Sequence, residues 1–114
     1  YANGYIALGK TLVRADMWKE ANGVFATAVA IDGDTSIVEA LELLGVTQMY
    51  LKSCASALHS FAEAKRRSFV ATPRHLRLES VTYAECLGDP KRAQELYGEY
   101  ESLRKSSEQS LESL

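Results

Sequence analysis

The apolar positions of the chain recur every 36 residues. The complete pattern is a Leu-Gly pair followed by an alanine, an aromatic residue and a second alanine at helical spacing. The two strong copies are Leu8-Gly9 with Ala21, Phe25 and Ala28, and Leu44-Gly45 with Ala57, Phe61 and Ala64. The third, degenerate copy is Ser80-Val81 with Ala93, Tyr97 and Tyr100. A repeat of this length predicts stacked supersecondary units rather than one irregular core.

Residues that typically start or end helices occur inside each period and predict two helices per repeat. Asp16 is placed as an N-cap between helices over 2–14 and 17–31, and Asp32-Gly33 ends the second. A capping box that opens at Ser36 starts the third helix, which runs to about residue 52, and the fourth runs from residue 53 towards 69. Thr72-Pro73 and Asp89-Pro90 open the last two, and the final helix is expected to pass Leu103 and fray.

The predicted fold class is therefore all-α, with about six helices in three antiparallel hairpins. The units span about 2–35, 36–71 and 72–107, and 108–114 extends the last helix. A length of 114 residues, 46% apolar residues and two prolines fit one packed helical domain. Because glycine inside a helix is costly, Gly9 and Gly45 are expected at close helix crossings, facing Ala21 and Ala57, with the phenylalanine rings packed beneath.

These landmarks resemble the tetratricopeptide signature. In the first unit the matching residues are Tyr5, Leu8, Gly9, Leu12, Ala21, Phe25 and Ala28. In the second they are Leu41, Leu44, Gly45, Ala57, Phe61 and Ala64. The resemblance implies a right-handed α–α superhelix, a tetratricopeptide-like solenoid, whose first helices line a concave groove. It also implies a non-enzymatic scaffold that binds a peptide or helix of another protein, as a subunit or adaptor of a larger assembly.

By this resemblance, the positions that face the concave groove in tetratricopeptide repeats identify the candidate groove residues. They are Lys10, Val13, Arg14, Glu42, Val46, Met49, Tyr50 and Leu78. The alternative is that the apolar members contact neighbouring repeats of the same protein. Similar domains hold chaperone tails with a clamp of lysine, asparagine and arginine, of which only Lys10 remains here, so capture of chaperone tails is not expected.

A basic band over 65–92 supports a second hypothesis, RNA binding by a related helical repeat. Its candidate residues are Lys65, Arg66, Arg67, Arg74 and Arg77. A net charge of −2 argues against a phosphate-binding surface. Cations near a helix C-terminus also favour the helix dipole without any ligand. Nucleic acid is therefore the less favoured partner.

No catalytic, metal or cofactor site is expected. Cys54 and His59 are five residues apart on one predicted helix, about 140° apart around its axis, so they do not form a nucleophile and base pair. His75 and Cys86 have no third ligand at metal spacing.

Three further expectations concern membrane insertion, the length of the whole protein and the cellular compartment. No apolar stretch approaches the ~20 residues that cross a bilayer, so no membrane insertion is expected. The chain starts at Tyr1 without a signal peptide and is interpreted as a piece of a larger protein. Cys54 and Cys86, without an N-glycosylation acceptor, suggest a reducing compartment, the cytoplasm or nucleus.

Overall fold

The computed structural model describes residues 2–31, 37–68 and 73–112. Regular structure in these ranges is helical throughout, which confirms the all-α prediction. The helices are α1 (Ala2–Arg14), α2 (Trp18–Ala30), α3 (Ile37–Tyr50), α4 (Cys54–Arg67), α5 (Pro73–Val81), a π-helix (Thr82–Cys86) and α6 (Pro90–Glu112). The helix end predicted at Asp32-Gly33, the capping box at Ser36 and the cap at Thr72 lie outside the described residues.

The chain forms two compact units, Tyr1–Ser68 and Phe69–Leu114. The first unit contains the hairpins α1–α2 and α3–α4. Between these two hairpins, α3 packs mainly on α2 and to a lesser extent on α1. The second unit contains the hairpin of α5, the π-helix and α6. Sequence-adjacent helices therefore pair, as short connections favour.

In each of the first two hairpins, a glycine of the first helix lies against a phenylalanine ring of the second helix. A β-carbon placed on Gly9 would lie 2.3 Å from Phe25 Cε1, and one on Gly45 would lie 2.4 Å from Phe61 Cε1. Both rings are fully buried. The prediction of buried rings is confirmed, but the atoms nearest to each glycine belong to the ring, not to Ala21 or Ala57 as predicted. The aromatic edge itself occupies the space that a side chain would need.

The turn inside each hairpin repeats a left-handed backbone conformation at the same interval. Asp16, Lys52 and Gly88 have φ values of 58°, 66° and 65°. Asp16 was predicted as an N-cap, and that prediction is wrong. Met17 precedes α2 and makes no side-chain capping hydrogen bond. Asp16 instead ends α1, at the position where helices commonly turn into the left-handed region.

Backbone hydrogen bonds explain the left-handed conformation of Asp16. The N–H of Met17 donates to the carbonyl of Leu12 at 2.9 Å, and that of Asp16 donates to Val13 at 3.0 Å. This pair of bonds is the Schellman arrangement, which satisfies carbonyls at the helix end. The second hairpin repeats it through the N–H groups of Ser53 and Lys52, 36 residues later.

The third hairpin differs because its first helix ends in a π-helical turn, which is wider than an α-helical turn. There the N–H of Asp89 donates to the carbonyl of Tyr83 at 2.8 Å, six residues back, after the π-helical turn. Asp89 caps α6 as predicted, since its Oδ1 accepts a hydrogen bond from the N–H of Arg92 at 3.1 Å. The last helix passes Leu103, also as predicted, and ends at Glu112.

Loss of the glycine accompanies a change in the aromatic residue. Val81 stands at the glycine position, and Tyr97 is 51% exposed where Phe25 and Phe61 are buried. The Tyr97 ring packs on Tyr100 instead, at a centroid separation of 5.4 Å. The exposed aromatic residue thus occurs in the hairpin that lacks the glycine.

Candidate partner-binding surfaces

The predicted groove residues are distributed over both compact units. Lys10, Val13 and Arg14 lie on α1, Glu42, Val46, Met49 and Tyr50 lie on α3, and Leu78 lies on α5 of the second unit. Lys10 Nζ lies 2.7 Å from Glu39 Oε1, so an exposed ion pair joins α1 to α3. The first unit therefore brings seven of these eight residues onto two helices that are linked at their surface.

Packing within the first unit involves some of these predicted groove residues. Val13 packs against the core cluster of Ala21, Phe25 and Leu44. Glu42 is buried, and Val46 and Met49 are half-buried. Lys10 and Arg14 are exposed, as is Tyr50 at 57%. The accessible part of the predicted surface is therefore two cations and one tyrosine.

Tyr50 is stacked on a residue that the sequence reasoning missed. Its ring lies 4.1 Å from the Trp18 ring, centroid to centroid, with an interplanar angle of 13°. Trp18 is the first residue of α2, and Tyr50 is the last of α3, so the stack joins the two hairpins. The single tryptophan at the start of a second helix is the signal that could have identified it.

A cavity lies elsewhere in the first unit, between α2, α3 and α4. Its volume is about 560 Å³. Five apolar side chains line it: Val29, Ile37, Leu41, Leu44 and Ala55. Polar residues from α3 and α4 also line it: Gln48, Ser56, His59, Ser60, Glu63 and Arg67. We call this feature the α2–α3–α4 groove.

The polar side of the α2–α3–α4 groove is held by hydrogen bonds. Ser60 Oγ donates to Gln48 Oε1 at 2.6 Å, which joins α4 to α3. Arg66 donates to both carboxylate oxygens of Glu63, at 3.0 and 2.7 Å. Hydrogen bonds from the guanidinium of Arg66 hold the pKa of Glu63 below its ordinary value. Arg67 Nε also lies 3.7 Å from Glu63.

The five predicted basic residues belong to different units. Lys65, Arg66 and Arg67 form the last turn of α4, where cations favour the helix dipole. Arg74 and Arg77 lie on α5 in the second unit. Since Glu63 pairs with both Arg66 and Arg67, part of the charge at the α4 end is neutralised within the helix.

Neither Cys54 nor Cys86 is a free thiol. The interpretation of both cysteines as thiols is therefore wrong, and the cytoplasmic or nuclear compartment stays a prediction. Over residues 2–31, 37–68 and 73–112, no three His, Cys, Asp or Glu side chains form a group that could hold a metal ion. The helices in these ranges include none long and apolar enough to cross a membrane.

Comparisons with known proteins do not identify a family for this chain. No protein-family model matches the chain. No curated protein matches its sequence either. The tetratricopeptide resemblance therefore stays a prediction from the 36-residue landmarks.

Proposed function

We propose that this chain is a non-enzymatic protein-interaction scaffold, a tetratricopeptide-like right-handed superhelix that binds a segment of a partner protein as part of a larger assembly. The observation that carries the proposal is the α2–α3–α4 groove. Its volume of about 560 Å³ falls within the ~300–1,000 Å³ of ordinary ligand pockets. An apolar floor with a few polar groups along one side suits a short apolar segment.

The chemistry of the groove indicates what the segment carries. Leu41, Leu44 and Val29 on the floor favour an aliphatic or aromatic side chain. The last turn of α4 contains three cations, and the neighbouring Glu63 offsets one charge. A segment whose apolar residue is followed by a carboxylate therefore suits this groove better than a basic one.

The groove predicted from the resemblance is the weaker candidate. Glu42 and Val13 are occupied by packing within the unit. Tyr50 already stacks on Trp18. A partner on that face would meet an aromatic pair and two cations, Lys10 and Arg14, rather than an apolar floor.

The test selects peptides from a random phage-displayed library on the 114-residue chain. We expect selected peptides to share an apolar residue next to an acidic one. Ser56→Trp, an exposed lining position, should fill the α2–α3–α4 groove and weaken binding at least tenfold. Ala62→Trp is the matched control, because Ala62 is exposed on another face of α4 and does not line the groove. Peptides that bind Ser56→Trp normally would disprove this site.

RNA binding through the basic band is the rival outcome of the same assay. A randomised RNA pool would then bind with an affinity that falls steeply between ~50 and ~200 mM salt. Reversing the charge of Lys65, Arg66 and Arg67 would abolish it. Peptide binding through an apolar floor should respond little to salt.

A further inference from the structure

The α2–α3–α4 groove has two chemically different ends. Because α3 and α4 form a hairpin, the start of α4 lies beside the end of α3, and the last turn of α4 lies beside the start of α3. Gln48 and Ser56 line the first of these ends, and Ile37 and Arg67 line the second. Glu63, one turn before Arg67, also lines the groove. Full charges thus stand at the second end, which gives a bound segment a preferred orientation.

Arg67 lies on the side of α4 that faces the floor of the groove. At about 100° per residue around the helix, Arg67 lies about 40° and Ser60 about 60° to the same side of Glu63. Ser60 Oγ donates to Gln48 Oε1 at 2.6 Å, so this side of α4 faces α3. The guanidinium of Arg67 therefore belongs to a side chain that starts next to the apolar residues of α3.

The other two cations of this turn lie elsewhere around α4. Arg66 is about 60° from Glu63 in the opposite direction, and Lys65 is about 160° away. Neither residue lines the groove. The exposed fraction agrees, since it is 66% for the Arg66 side chain and 35% for that of Arg67. The helix dipole favours a cation at all three positions, so it does not explain why Arg67 is the one beside the apolar floor.

Glu63 does not cancel the charge at this end of the groove. Arg66 donates to both of its carboxylate oxygens, at 3.0 and 2.7 Å. Arg67 Nε is 3.7 Å from the same carboxylate, beyond ordinary hydrogen-bond distance. Two cations thus share one carboxylate, and the three side chains together are positively charged. A second carboxylate complements such a cluster, because a guanidinium can donate two parallel hydrogen bonds to it.

We propose that Arg67 determines the specificity of the α2–α3–α4 groove by binding an aspartate or glutamate side chain of the partner segment. The inference rests on the proposed function and adds the residue that selects the segment and the orientation of the segment. The apolar residue of the segment lies over Leu41 and Leu44, and its acidic residue lies at the end formed by Ile37 and Arg67.

The test selects a random phage-displayed peptide library in parallel on the parent chain and on Arg67→Glu. The parent should enrich peptides with an acidic residue next to an apolar one, and Arg67→Glu should enrich a basic residue in its place. Lys65→Glu is the matched control, because it reverses a charge in the same turn away from the groove. It should enrich the same acidic peptides as the parent. If Arg67→Glu fails to fold, as judged by circular dichroism, Arg67→Gln should lose the acidic preference without gaining a basic one.

A fluorescein-labelled synthetic peptide from the parent selection gives the affinities by fluorescence anisotropy. Arg67→Glu should weaken its binding at least tenfold. Replacing the acidic residue of the peptide by lysine should weaken binding to the parent chain and strengthen binding to Arg67→Glu at least fivefold. A structural role for Arg67 would not produce this exchange of preference.

Two results separate this inference from the function on which it rests. Acidic peptides that bind Arg67→Glu as tightly as the parent, yet lose affinity for Ser56→Trp, would overturn the role of Arg67 and retain the groove as the binding site. Failure to enrich any peptide on the parent chain, or binding that Ser56→Trp does not affect, would overturn the proposed function and this inference together.

Discussion

The ring of Phe61 occupies the place where residue 45 would have its β-carbon. A β-carbon on Gly45 would lie 2.4 Å from one ring carbon, which is shorter than a van der Waals contact between two carbon atoms. Gly9 and Phe25 repeat the relationship 36 residues earlier. Because Phe61 is fully buried, a side chain at residue 45 would have to displace the ring within the core. The pair therefore sets how closely the two helices of a hairpin approach.

Alanine at position 45 should destabilise the protein, although alanine is the better helix former. The added methyl group meets the Phe61 ring, and overpacking of this kind costs about 1–3 kcal/mol. Gly23→Ala is the matched control, because no atom lies within 4 Å of its would-be side chain. It should stabilise the protein by about 0.5–1 kcal/mol. Urea denaturation of both variants measures the two free energies, and equal signs would refute the packing argument.

Removal of the buried ring should be far more costly than removal of its exposed counterpart. Phe61→Ala leaves a cavity within the hairpin and should cost about 3–5 kcal/mol. Tyr97→Ala removes a ring that is 51% exposed and should cost about 1 kcal/mol. Chemical denaturation compares the free energies of unfolding. A similar loss for both variants would show that Val81 does not displace the aromatic residue from the third hairpin.

The left-handed turn residues predict opposite effects for two glycine exchanges. Lys52 has a φ of 66° without being glycine, so Lys52→Gly should relieve about 1 kcal/mol of strain. Gly88→Ala places a side chain at a φ of 65° and should cost about 1–2 kcal/mol. Thermal unfolding monitored by circular dichroism should show a rise in melting temperature for the first variant and a fall for the second.

Double-mutant cycles should detect the stack of Trp18 on Tyr50. The rings belong to different hairpins, so the coupling energy reports how firmly the hairpins are joined. Stacked aromatic pairs contribute about 0.5–1.5 kcal/mol beyond their burial. Trp18→Ala, Tyr50→Ala and the double variant, compared by urea denaturation, should show a coupling in this range. Additive effects would mean that the stack does not stabilise the fold.

The titration of Glu63 should depend on Arg66. Hydrogen bonds from Arg66 hold the pKa of Glu63 below its ordinary value of 4.5. The pair therefore stabilises the folded state above the ordinary carboxyl pKa, and the effect is lost as the pH falls through the lowered value. Carboxyl ¹³C NMR should place the midpoint below 4.5 in the parent chain and closer to that value in Arg66→Gln. An unchanged midpoint would contradict the assignment.

Several features were predictable because they depend on neighbours along the chain. The period of 36 residues placed Phe25 and Phe61 in the core, since residues at helical spacing share one face. The cap at Asp89 needed only an aspartate before a proline. The same local reasoning failed at Asp16, because an aspartate is compatible both with an N-cap and with a left-handed helix end.

By itself, then, the sequence determined the helices, their pairing into hairpins and the phenylalanine rings buried in the first two hairpins. Tertiary structure alone decided which surfaces are open. Leu8 and Leu44 stand in the same place of the repeat, yet the first is 49% exposed and the second 9%. The α2–α3–α4 groove and the stack of Trp18 on Tyr50 arise in the same way, from contacts between residues of different hairpins. Periodicity specifies which residues share a face, but burial requires that another helix lie on that face, and this is a long-range property.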